Sequence, residues 1–293
     1  MSELCLLAVH AHPDDEASKG AGTVARYHAE GIHTVLVTCT GGEAGDILNP
    51  AMDRPEIRAD LPAVRRAELD EAARIIGYDE VVLLGYRDSG MPDTEANHDP
   101  RSFAQAPRQE AVGRLVEVIR RTRPQVIVTY PADQSGYPHP DHLRVHDITM
   151  GAWDAAGDPE QFVGLGEAWM PLKLYSVTWS PRRIIRMHEA FVALGLESPF
   201  SEERLIKAKE AVEAQGAVTT KVDITGFGAV SADALKAHAT QVDPTSRHWF
   251  GLPPEASESA WPYDEYSLVA ERIPPQDGEE DDLFAGLRRP AVS

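Results

Sequence analysis

The sequence predicts an α/β fold: a Rossmann-like, mostly parallel β-sheet flanked by helices, with a less regular C-terminal part. Three observations predict it. Apolar runs at residues 4–9, 34–39, 81–84 and 126–129 have the length and near-continuous hydrophobicity of strands buried on both faces. Amphipathic stretches of helical period lie between them, the alternation that βαβ units produce. The segments leaving the first and fourth runs are rich in His and Asp, where open α/β sheets bind ligands, beyond the carboxyl ends of strands.

The first run leads into His12-Pro13-Asp14-Asp15-Glu16, and a helix is predicted over 16–30, with Gly20 and Gly22 lowering its propensity but allowing close approach. The second run ends in Thr40-Gly41-Gly42-Glu43, and a polar loop continues to about residue 60. A helix over 61–76 is stopped by Gly77. The third run leads into Asp88-Ser89-Gly90, and a helix follows over 108–121. The fourth delivers His139-Pro140-Asp141-His142. Beyond it, 173–179 and 267–273 read as strands, 202–215 and 230–241 as helices. The acidic stretch from Pro274, with Asp277 to Asp282, has the composition of a solvated extension. The expected division is a catalytic core over 1–160, a part completing the cleft over 161–273, and a tail over 274–293.

Bulk composition narrows the class. A 293-residue chain that is 42% hydrophobic can bury a sizeable core. Its net charge of −19 argues against nonspecific binding to nucleic acid or anionic membranes. Cys5 and Cys39 lie inside apolar runs and read as buried thiols of a reducing compartment. No basic, cleavable leader precedes the first strand, and no apolar run approaches the ~18 residues of a membrane span. A cytoplasmic protein is expected. The glycine fingerprint of dinucleotide binding is absent after the first run, where His12 and Asp15 stand instead.

Two imidazoles and one carboxylate form a common catalytic zinc set, and His12, Asp15 and His142 supply it. Neighbouring side chains in an extended loop point apart, so if Asp15 is a ligand, Asp14 is left to take a proton from the attacking water. His139 is a candidate leaving-group acid or oxyanion donor, Asp141 its orienting partner, and Tyr137 a second oxyanion donor. A plainer reading stands beside this one: Asp14 or Asp15 caps the first helix, and Asp141 caps a helix starting near His142.

These residues resemble a known family. Ala11-His12-Pro13-Asp14-Asp15-Glu16 with the distant His139-Pro140-Asp141-His142 is similar to the signature of the zinc-dependent LmbE-like, or PIG-L-type, deacetylases. The likeness extends to Ala8-Val9-His10, Lys19-Gly20, Thr40-Gly41-Gly42-Glu43, Ile47-Leu48-Asn49-Pro50-Ala51-Met52, Asp88-Ser89-Gly90 and His238-Ala239-Thr240-Gln241-Val242-Asp243-Pro244, most of the chain to residue 273. These longer stretches look like the branch that cleaves S-conjugates of mycothiol.

The resemblance implies a metal-dependent hydrolase of a linear amide, with zinc (or ferrous iron) on His12, Asp15 and His142. Asp14 would be the base, His139 the acid or oxyanion group, and Tyr137 a mobile oxyanion helper. Arg65 and Asp88 would grip sugar and inositol hydroxyls, and Lys19 and Gln241 would line the substrate site. The small-molecule substrate would be cut between its S-substituted N-acetylcysteine and glucosaminyl-inositol, releasing a mercapturic acid in thiol-dependent detoxification. The alternative is removal of acetate from N-acetylglucosaminyl-inositol during mycothiol synthesis. Oligomeric state is left open.

Overall fold

A computed structural model describes residues 4–134, 136–213, 218–275 and 278–288. Seven strands form one sheet: β1 (Cys5–His10), β2 (His33–Thr40), β3 (Glu80–Tyr86), β4 (Val126–Thr129), β5 (Lys173–Thr178), β6 (Thr220–Asp223) and β7 (Tyr263–Glu271). Their order is β3-β2-β1-β4-β5-β7-β6. β1 to β5 pair in parallel, and β7 and β6 close that side antiparallel. All residues of β1 and β4 are buried, as their unbroken hydrophobicity requires.

The order positions the site. From β1 the chain winds outward to β2 and β3, then returns to place β4 on the other side of β1. Right-handed crossovers running in opposite directions put their helices on opposite faces. The loops leaving β1 and β4 therefore part from each other and leave a crevice between them. Helix Arg108–Thr122 packs on Pro140–Ala155, and Leu61–Ile76 packs on Gly228–Ala237.

The helix expected over 16–30 is instead two pieces, Asp15–Ser18 and Ala21–Ala29. Gly20 separates them with φ 91°, and a Cβ there would stand 2.6 Å from the Tyr266 hydroxyl. Leu61–Ile76 runs as expected and ends on left-handed Gly77. Strand β6 and the helix Pro181–Ala193 were not expected. Residues 214 and 215, the end expected for the helix Glu202–Glu213, lie outside the described residues.

The stretch 278–288 is not a solvated extension. Leu283 and Phe284 are fully buried, and Tyr27 donates to Asp282 at 2.8 Å. Glu280 meets the buried Lys173 ammonium and accepts from the Tyr175 hydroxyl. Acidic composition hid two apolar anchors and a countercharge for a lysine that burial leaves no other solvent. Asp277 lies outside the described residues. Cys5 and Cys39 are buried thiols. No helix among the described residues is long and apolar enough to cross a membrane.

Candidate active site and metal centre

The first loop turns sharply as it leaves β1. Asp14 takes φ 120°, a backbone state that costs a non-glycine residue on the order of 1–3 kcal/mol. Its amide donates to Glu16 Oε2 at 3.0 Å, and the other Glu16 oxygen lies 2.5 Å from His238 Nε2. Both side chains of that pair are fully buried. Arg65 grips the same turn, with Nη2 donating to the Pro13 carbonyl at 2.5 Å and to Asp14 Oδ2 at 3.2 Å. Its Nη1 donates to the Gly42 carbonyl, so one guanidinium ties the loops after β1 and β2 together.

The second loop ends at the helix Pro140–Ala155, with His139 as its N-cap. His139 Nδ1 accepts the Asp141 amide proton at 3.2 Å. A ring nitrogen that accepts carries no proton, so neutral His139 bears its hydrogen on Nε2. The Asp141 carboxylate does not orient His139 as expected. It accepts from the Ser89 amide at 2.9 Å and from the Ser89 hydroxyl, and lies 3.2 Å from His12 Nε2. As the first acidic residue of a helix, its carboxylate is held at the N-terminus while its amide serves the cap.

The two clusters meet. Asp15 Oδ2 lies 3.5 Å from His12 Nδ1 and 3.5 Å from His142 Nε2. Ligands at zinc's bond lengths of about 2.0–2.1 Å stand roughly 3.3–3.4 Å apart in a tetrahedron, so each of these two edges has about the length that a shared metal requires. The opposite edge of His12 fits it too: Nε2 faces Asp141 at 3.2 Å and Asp88 Oδ1 at 3.5 Å, the carboxylate backing that orients metal-binding imidazoles. Among the described residues the close groups of three are His12, His139 and His142, and His12, Asp88 and Asp141; Asp15 belongs to neither. Tyr130, one residue past β4, stacks on His142 at 4.5 Å between centroids and accepts the Ala11 amide at 3.2 Å.

Electrostatics separates the two adjacent carboxylates. Burial and the neighbouring Asp15 charge raise the Asp14 carboxyl above its ordinary value, against Arg65. Against the cost of burial, Lys19, His142 and His12 hold Asp15 well below the usual carboxylate range. Burial, then the charges of His12 and His142, lowers His139 to about 4. Asp14 is therefore the more basic of the two adjacent carboxylates, and His139 has the character of a neutral N–H donor.

A cavity of about 760 Å³ opens over this floor. His12, Asp14, Asp15, His139 and His142 line it, with Lys19, Arg65, Asp88, Tyr137 and Gln241. The expected substrate-side residues are held by protein groups as well. Lys19 donates to Asp15 Oδ1, Asp88 accepts from the Gly90 amide at 2.8 Å and the Ala44 amide at 3.2 Å, and Gln241 donates to Thr240 at 3.1 Å. Tyr137 is 56% exposed, with its ring 5.5 Å from His142. Sequence reasoning gave no role to Glu16, His238, Ser89 or Tyr130. Glu16, Ser89 and His238 stand inside the quoted motifs, and Tyr130 follows a strand that ends at the crevice.

A family described as PIG-L: GlcNAc-PI de-N-acetylase matches residues 7–153. A mycothiol S-conjugate amidase of Streptomyces coelicolor is 44% identical, covering 98% of this chain and 98% of its own. A 1D-myo-inositol 2-acetamido-2-deoxy-alpha-D-glucopyranoside deacetylase of Geodermatophilus obscurus is 40% identical, covering 96% of this chain and 97% of its own. Among solved structures, N,N'-diacetylchitobiose deacetylase from Pyrococcus horikoshii has a TM-score of 0.61 at 17% identity, over 90% of this chain and 83% of that one. That structural likeness bears on the fold alone.

Proposed function

The chain belongs to the PIG-L, GlcNAc-PI de-N-acetylase family, and from that premise we propose that it hydrolyses the amide bond of mycothiol S-conjugates. It is a hydrolase acting on a carbon–nitrogen amide bond. One observation carries the choice of substrate, the 44% identity across 98% of the chain to an amidase of that name. The products are a mercapturic acid and glucosaminyl-inositol, a detoxification step in the cytoplasm. The net charge of −19 supports a small-molecule substrate over nucleic acid.

In this reading His12, Asp15 and His142 hold a divalent cation, zinc or ferrous iron. When bound, it polarises the amide carbonyl and acidifies water. Asp14, held by Arg65 and by the Glu16 contact to its amide, removes a proton from the attacking water. The water oxygen bonds to the carbonyl carbon, and the carbonyl oxygen takes the negative charge. His139 Nε2–H and the Tyr137 hydroxyl donate to that oxyanion. As the carbonyl re-forms and the C–N bond breaks, the proton on Asp14 passes to the leaving nitrogen. A carboxylic acid and an amine result, and the acid then gives its proton to water. Asp141 and Asp88 keep His12 turned.

The second reading, deacetylation of N-acetylglucosaminyl-inositol, is favoured by the relative of that activity at 40% identity. Both reactions share this chemistry, so side-by-side turnover of a bimane S-conjugate of mycothiol and of the acetamido sugar separates them. The proposal expects a higher kcat/KM for the conjugate. A higher value for acetate release would install the second reading.

A further inference from the structure

The lining of the same cavity includes apolar residues that the proposed hydrolysis does not use. Trp179 and Trp249 line it and are 44% and 36% exposed, the two exposed tryptophans among the described residues. Leu48, 58% exposed, lines it with Val177 and Val242. Trp179 directly follows β5, the parallel neighbour of β4, so it stands at the strand ends where the crevice opens. Trp249 belongs to the short helix Arg247–Phe250, 70 residues further along the chain.

Each indole is braced. The Arg183 guanidinium lies 5.5 Å from the Trp179 ring, and the His248 ring meets Trp249 edge-on at 4.7 Å. Bracing keeps a large apolar surface open to water in a concavity, an arrangement that marks the seat of an apolar ligand group. The polar residues Asp14, Lys19, Asp88 and Gln241 line the same cavity, so it is amphipathic. A polyol joined through a reacting amide to an apolar acyl group has the same two halves.

We infer that Trp179 and Trp249, with Leu48, Val177 and Val242, form a subsite for an aromatic or bulky apolar substituent on the acyl side of the scissile amide. The inference rests on the proposed S-conjugate reading and assigns its apolar half a place. Two indole faces reward a planar aromatic group on sulfur and give a methyl group little. Tryptophan also stacks on sugar rings, and the test distinguishes that use.

The experiment compares S-benzyl and S-methyl conjugates of mycothiol with the metal-loaded enzyme and its Trp179→Ala, Trp249→Ala and Trp179→Phe variants. The benzyl-over-methyl ratio of kcat/KM should fall roughly tenfold or more in the alanine variants, since even one methylene in an apolar pocket is worth that much. Trp179→Phe should keep most of the ratio. An unchanged ratio, or an equal fall for both conjugates, overturns the subsite, the equal fall indicating a sugar platform. Calorimetric binding of N-acetyl-S-benzyl-cysteine against N-acetyl-S-methyl-cysteine reads the subsite in the wild-type enzyme without turnover. Preference for the benzyl acid without cleavage of any conjugate keeps the subsite and ends the proposed substrate. Cleavage without any preference for benzyl keeps the substrate and ends the subsite.

Discussion

Asp14 occupies a left-handed backbone state that its neighbours must enforce. Glu16 holds its amide and His238 holds Glu16, across 222 residues of sequence. Against burial, the Glu16 charge raises His238, and against burial, the His238 charge lowers Glu16. Breaking such a buried pair costs about 3–5 kcal/mol, so His238→Ala should lose about that much in urea unfolding. The sign with pH follows from each partner. His238's share is complete below its ordinary 6.5 and is lost as pH rises through its raised value. Glu16's share is complete above its ordinary 4.5 and is lost as pH falls through its lowered value. The stability gap between wild type and variant should therefore be widest between those values and narrow on both sides. A gap constant from acid to alkaline pH would show that the pair contributes no ionic linkage.

At this scale the sequence was readable where chemistry is compact. His12 with Asp15, and His139 with His142, each lie within four residues, so residue type and spacing suggested that they share a site. Partners set by the fold were not readable. Nothing local says that the Asp141 carboxylate turns to Ser89 and His12, or that Arg65 spends its guanidinium on Pro13, Gly42 and Asp14.

Among elements, the break at Gly20 matters most, because it fixes where the short Asp15–Ser18 helix points. Period alone ran one helix through it, since glycine is tolerated within helices and only its φ of 91° reveals the kink. Gly20→Ala should cost about 1–2 kcal/mol for the left-handed backbone, and more for displacing the Tyr266 hydroxyl 2.6 Å from the new Cβ. A thermal melt should show Tm lowered by roughly 2–4 °C for each kcal/mol. An unchanged Tm would mean that the kink carries no strain. Strand β6 escaped notice for a different reason: its four residues, Thr220 to Asp223, alternate too briefly to register, and they pair with β7 and, at a single bridge, with Glu280. The strands β1 and β4 were plain because burial on both faces leaves an unbroken apolar run.

For the whole molecule, one sheet order accounts for the site. Placing β4 beside β1 brings together two distant loops: the Ala11–Tyr130 contact spans 119 residues and the His12–Asp141 contact 129. Strand alternation made the parallel half legible. The antiparallel closure by β7 and β6 was not, because connections across an irregular second half leave no periodic trace. Nor was the packing of Phe284 and Glu280, whose acidic surroundings dominate the composition.

The central claim is that this convergence holds a catalytic metal on His12, Asp15 and His142, with Asp14 as the base beside it. Metal content per protein chain, measured together with turnover in Asp14→Asn and Asp15→Ala, tests it most directly. Asp14→Asn should keep the wild-type metal content and slow turnover by about 10²–10⁴-fold. Asp15→Ala should lose metal, with excess metal restoring part of the activity. Loss of metal in Asp14→Asn with retention in Asp15→Ala would contradict the account and exchange the two roles.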